Sequence, residues 1–230
     1  MRKINWPVLA LILANIIWGA TSPILKFSLE NIPQFSLEFL RFLLASLILF
    51  PFVHKQINYP DLKNKWLWVY ALAGITFNIS LFFLALQRTS AINATVIASV
   101  APVMILIGSA VFLKEKFKIN VVIGVITALL GTLLIIFNPL LKGELDGEII
   151  GNLLMLGATL GAVISTIAGR KFLTAKNSLG MTFWSCFIGT LSFAPAMFFE
   201  YYQNPTWMGD LNIKGILGII YGGIFSSLIA

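Results

Sequence analysis

The sequence predicts an all-α integral membrane protein with eight transmembrane helices. Three observations carry that prediction. Of the 230 residues, 58% are hydrophobic and only 11% are charged, against roughly 25% charged in a typical soluble domain. A water-soluble globule of this size could neither bury so many apolar side chains nor cover itself with so few charges. The charge-free runs also match the roughly 20 residues a helix needs to cross a ~30 Å hydrocarbon core. Finally, those runs are apolar on every face and about twice the 9–11 residues of a barrel strand, so an alternating β pattern is excluded.

The first span is read at 6–26. Arg2 and Lys3 precede it, as they would a secretory signal. The run exceeds an h-region of about 7–15 residues, and 23–26 is not a small-x-small cleavage site, so it stays as a helix. The second span, 35–54, confines Glu38 and Arg41 to its first two turns. The remaining spans are 66–87, 90–113, 119–138, 149–170, 180–200 and 213–230. A charge at a helix centre costs about 2.5–3.5 kcal/mol on insertion scales, which explains why the charges gather in the connections. The longest connection, 54–65, is too short for a soluble domain.

The net charge of +7 follows membrane topology and does not point to nucleic acid, because the basic residues sit in short loops. With the N-terminus inside, eleven Lys and Arg fall on the inner side and five on the outer. That places the N-terminus in the cytoplasm of a multi-pass cell (plasma or inner) membrane protein. The single cysteine, Cys186, excludes an intramolecular disulfide and any multi-Cys metal site.

Sliding the sequence on itself by 144 residues places Lys26 on Arg170, Phe39 on Phe183, Pro51 on Pro195 and Gly74 on Gly218. A period of five helices is odd, so the second copy would be inserted upside down. Inverted repeats of this kind build many secondary transporters, with the solute held near the midplane between the copies. The division is 1–140 for the first repeat and 141–230 for the second. Leu86 maps onto Ala230, so the counterparts of the fourth and fifth helices are missing. Ten helices are therefore expected in a whole molecule, and this chain reads as a fragment or a shortened product.

An ordered series of short motifs runs through the first repeat. The first span reads Trp18-Gly19-Ala20-Thr21-Ser22-Pro23, then Lys26. The second opens Phe39-Leu40-Arg41-Phe42-Leu43-Leu44-Ala45, and Ala85-Leu86-Gln87-Arg88-Thr89-Ser90-Ala91 joins the third to the fourth. The fourth continues through Ala101-Pro102-Val103 to Phe112-Leu113-Lys114-Glu115-Lys116. The series resembles the EamA-like family of the drug/metabolite transporter superfamily. It is weaker in the second repeat, where Ala162 stands at the position of Trp18 and Ser185 at that of Arg41. The resemblance implies a ten-helix carrier of two inverted halves moving small metabolites or amino acids, usually outward. It further implies a pathway surrounded by helices one, three, four, six, eight and nine.

Candidate pathway residues follow from polar groups inside the spans. Asn15, Trp18, Ser22 and Lys26 fall at i, i+3, i+7 and i+11, on one face of the first helix. Such a stripe faces protein or water, as helix–helix glue or as pathway lining. Asn78 lies mid-way along the third span, and Asn93, Thr95 and Ser99 lie on the fourth. Amides and hydroxyls there either hold helices together, at about 0.6 kcal/mol each, or contact solute. Asn78 and Asn93 also match the glycosylation pattern, but sit within the membrane. Pro102 and Pro23 free the carbonyls of Ala98 and Gly19, so kinks are expected, as packing bends or as hinges. Aromatic residues Trp18, Phe77, Phe82 and Tyr221 suit an amphipathic solute. Small residues recur every four positions at Gly157, Gly161, Ser165 and Gly169, and again at Gly218, Gly222, Ser226 and Ala230. These stripes let helix backbones approach closely.

The candidate substrate-contacting set is thus Asn15, Trp18, Ser22, Asn78, Asn93, Ser99, Pro102 and Tyr221. Glu38 and Arg41, three apart, read as an outer anchor pair. Glu115 among its lysines and His54, the sole histidine, read as interfacial. Enzymatic chemistry needs His, Glu and Asp clusters or a nucleophile with a base, and these spans supply neither. No Gly-rich phosphate loop points to ATP, no filter or charge ring points to a channel, and no metal or other cofactor is expected. With no carboxylate deep in a span, facilitated or weakly coupled export of a small molecule by alternating access is the expected function. The alternative is a structural or assembly subunit, or a truncated inactive product.

Overall fold

The computed structural model describes residues 6–54, 62–113, 118–141, 148–172 and 178–229. Among the described residues there is no strand. The helices are α1 (Trp6–Ser28), α2 (Gln34–Val53), α3 (Lys65–Ala71), α4 (Asn78–Leu86), α5 (Ala91–Ala98), α6 (Ala101–Leu113), α7 (Ile119–Leu141), α8 (Glu148–Phe172), α9 (Ser178–Gln203) and α10 (Ile213–Ile220). A π-helical segment, Leu72–Phe77, joins α3 to α4, and a second, Tyr221–Ile229, continues α10. Seven helices are long and apolar enough to cross a membrane, and Ile213–Leu228 is a shorter apolar one. The expected spans agree with these elements to within three residues at each end. Phe52 is 70% exposed and Leu134 65%; side chains of this kind on the outside of a span belong against lipid tails.

Two compact units emerge. The first holds α1, α2, α9 and α10 with its π-helical extension. Here α2 and α9 run antiparallel: Ser36 meets Glu200 at one end and Phe50 meets Phe183 at the other. Between these ends Phe193 stacks on Phe42 at 6.1 Å and on Phe35 at 6.2 Å, contacts worth about 0.5–1.5 kcal/mol each beyond area burial. The N-terminus of α2 has an unusual cap. Pro33 occupies the cap position and supplies no side-chain acceptor. Glu200 of α9 supplies it instead: Phe35 N donates to Oε1 at 3.0 Å, and Ser36 N and Ser36 Oγ donate to Oε2 at 2.7 and 2.8 Å. A carboxylate at that place also meets the positive end of the α2 dipole.

The second unit holds α3 to α8. The span α3–π–α4 packs antiparallel on α8. Ser165 Oγ donates to Tyr70 O, Asn78 Nδ2 donates to Ala158 O, and Thr89 at the far end donates to Asn152 Oδ1. Gly157 and Gly161 let Leu81, Ala73 and Phe77 approach α8, so the expected small-residue stripe is the contact face. Ala85, Ala94, Ile97, Ile136, Met155 and Ala158 form a core drawn from α4, α5, α7 and α8. The fourth span is broken where Pro102 predicts a disruption. α5 ends at Ala98, a turn covers Ser99 and Val100, and α6 starts at Ala101. Pro23 does not interrupt α1 in the same way.

One contact occurs in both units. Ser28 Oγ donates to Lys214 O at 2.9 Å, and Gly218 faces Ser28 with no room for a Cβ. Ser165 Oγ donates to Tyr70 O at 2.9 Å, and Gly74 faces Ser165 in the same way. The acceptors and the glycines are each separated by the 144 residues of the sequence repeat. The two serines are 137 apart, a difference of two helical turns.

Candidate functional site

In the first unit, α1 and the last helix enclose a groove of about 430 Å³ lined by Pro23, Ile24, Phe27, Ser28, Leu217 and Tyr221. That size lies within the range of small-ligand pockets, roughly 300–1,000 Å³. The walls are apolar because both helices are built for lipid or protein contact. Tyr221 stands at the start of the π-helical segment, where its hydroxyl donates to Ile17 O at 2.9 Å and its ring stacks on Phe225 at 5.4 Å. The phenol is thereby fixed in orientation while its ring edge lines the groove. The α1 backbone carries Asn15, Trp18 and Ser22 in helical register, but their side chains lie outside the described residues, as does Ala230 of the second small-residue stripe.

Deeper in the same unit is a buried ion pair. Arg41 Nε lies 2.7 Å from Glu38 Oε2, with side-chain exposures of 6% and 0%. The guanidinium also sits 4.7 Å from the centroid of Phe42. Read from sequence, this pair looked like an anchor at the outer surface; the structure encloses it between α2, α9 and the last helix. Gly222 and Gly223 make the enclosure possible, since a Cβ on either would lie 2.9 Å from Arg41 Cδ or Arg41 O.

In the second unit the polar candidates hold helices together. Asn78 lies at the C-terminal edge of the π-helical segment and donates to Ala158 O at 2.6 Å. Asn93, near the start of α5, donates to Glu148 Oε1 of α8 at 2.8 Å. Asn152 strengthens the same end of the unit, donating to Ile136 O while accepting from Thr89. Ser99 and Pro102 flank the break in the fourth span and are exposed. Ser99 Oγ donates locally to Val96 O at 2.7 Å. The structure thus brings Ser99 and Pro102 together at a discontinuous helix, a feature that frees backbone carbonyls where a cavity is lined. It places Asn78 and Asn93 at separate interhelical joints, and Tyr221 in the other unit's groove.

Sequence reasoning missed Glu200, Asn152 and Ser28 as joints. Pro33 ahead of α2, with no Ser, Thr or Asp cap beside it, was the available signal for the first. No metal-holding cluster of His, Cys, Asp and Glu exists among the described residues.

Comparison with known proteins defines the family. The sequence profile described as the EamA-like transporter family matches residues 5–137. An uncharacterised transporter of Archaeoglobus fulgidus is 30% identical over 99% of this chain and 77% of its own length. A second from that organism is 28% identical over 96% of this chain and 76% of its length. The uncharacterised transporter YetK of Bacillus subtilis is 28% identical over 87% of this chain and 62% of its length. No solved structure matches the chain. With a family match over more than half its length and a relative at 30% identity along nearly all of it, the chain belongs to the EamA-like transporter family and is a multi-pass membrane transporter, not an enzyme.

Proposed function

We propose that the chain is a secondary-type carrier that exports small metabolites or amino acids by alternating access. It sits in the cell membrane with its N-terminus in the cytoplasm, and its residues 1–140 and 141–230 are two inverted repeats. The observation that carries this reading is the serine–carbonyl–glycine contact made once in each unit, with acceptors 144 residues apart. The antiparallel crossing of α2 and α9 supports it, since counterpart helices of inverted copies run in opposite directions. The two-turn offset of the serines suits halves held in different conformations, which alternating access requires. Solute contact is assigned to Asn15, Trp18, Ser22, Asn78, Asn93, Ser99, Pro102 and Tyr221, with the apolar groove beside Tyr221 taking the non-polar part of the solute.

Thermal unfolding of the purified chain against a panel of amino acids and metabolites tests the assignment. A ligand that raises the midpoint, with the rise lost in Trp18→Ala and Asn78→Ala, supports it. No response to any ligand favours the structural-subunit reading.

A further inference from the structure

Two carboxylates pack around α2, and their surroundings differ. Glu200 has a donor on each oxygen: Phe35 N on Oε1, and Ser36 N and Oγ on Oε2. It is a completed, structural anion. Glu38 is completely enclosed, yet only Oε2 is engaged, by Arg41 Nε. Its Oε1 is buried and has no donor among the described residues. Arg–carboxylate pairs that serve as fixed joints are commonly bidentate, with two parallel hydrogen bonds. A buried carboxylate with an empty oxygen carries a desolvation cost that the single contact does not fully offset.

We propose that Glu38 is a proton-binding site and that its occupancy drives transport through Arg41. The coupling half rests on the carrier reading; the proton-binding half does not. A proton taken from water adds to the free Oε1 and converts the carboxylate to a neutral acid, with no other bond made or broken. Arg41 then loses its counter-ion and has to reorient. Its Cδ and backbone carbonyl press on Gly222 and Gly223 at the start of the π-helical segment, so the reorientation reaches the last helix. Other titratable groups on the surrounding elements have different engagements. From α9 come the buried thiol of Cys186 and the capping carboxylate Glu200. From the last helix come Tyr221, bonded to Ile17 O, and Lys214, paired with Glu30. Lys26 of α1 is exposed.

The test is pH-difference infrared spectroscopy on the reconstituted chain. Acidification should produce a carboxylic C=O band that disappears in Glu38→Gln and remains in Glu200→Gln. Absence of the band in the native chain, or its persistence in Glu38→Gln, would overturn the proton site. If Glu38→Gln does not fold, Glu38→Asp replaces it: the band must shift in frequency and midpoint pH, and an unshifted band would overturn the site. An imposed pH gradient across proteoliposomes then tests coupling with radiolabelled amino acids. Gradient-driven accumulation should collapse in the Glu38 variant, and its survival there would refute the coupling. If the native chain moves no solute while the infrared band is present, the carrier reading fails and the proton site stands.

Discussion

Replacing Glu200 by alanine should cost more than any surface change on this chain, because the effect falls on a different helix from the mutation. Three donors lose their acceptor at once: the amides of Phe35 and Ser36 and the Ser36 hydroxyl. Hydrogen bonds to a charged acceptor contribute about 1.5–3 kcal/mol each, and loss of an N-cap costs about 0.5–2 kcal/mol. Water can partly replace the acceptor because Glu200 is only half-buried. The expected loss is therefore about 2–4 kcal/mol, nearer the sum of one charged bond and a cap than the sum of all three. Glu200→Gln keeps one carbonyl oxygen facing the donors and should lose roughly half as much. The assay is thermal or denaturant unfolding in mild detergent, where each kcal/mol moves the midpoint by about 2–4 °C for a chain of this size. A Glu200→Ala midpoint indistinguishable from the parent, or a glutamine variant worse than alanine, would refute the cap.

Other consequences follow from single contacts. Asn78→Leu removes the bond to Ala158 O and should destabilise by about 0.6–1.7 kcal/mol in unfolding experiments, the range for interhelical bonds in membranes. Gly161→Val drives a side chain into Ala73 O and Phe77 and should cost about 1–3 kcal/mol of overpacking by the same assay. Cys186 is 2% exposed, so a maleimide should leave it unlabelled in the folded chain and label it only after denaturation. Pro102→Ala restores a donor at the break in the fourth span and should stabilise the helix by up to about 3 kcal/mol while slowing solute flux; faster flux would contradict a hinge role.

Span positions were legible because crossing a bilayer imposes length and apolarity on the local sequence, and that constraint is read without knowing any partner. The break beside Ser99 was legible for a similar reason, since proline acts on its own helix. The π-helical segments at Leu72–Phe77 and Tyr221–Ile229 left no comparable mark: the nearby glycines looked like part of a packing stripe. Glu38 and Arg41 were correctly paired from their spacing, but burial depends on which helices close over them, and Gly222 and Gly223 lie some 180 positions away. Asn93 illustrates the converse. Its amide looked available to solute from its place in a span, and the structure commits it to Glu148.

Solute counterflow in proteoliposomes addresses the carrier reading most directly. Vesicles containing the chain are loaded with an unlabelled amino acid or metabolite identified by thermal shift, and uptake of the labelled compound is followed. A carrier with one alternately exposed site accumulates label transiently above equilibrium, saturably, and faster when the inside is loaded. Flux that rises linearly with concentration and ignores the internal pool, or no flux at all, would contradict it.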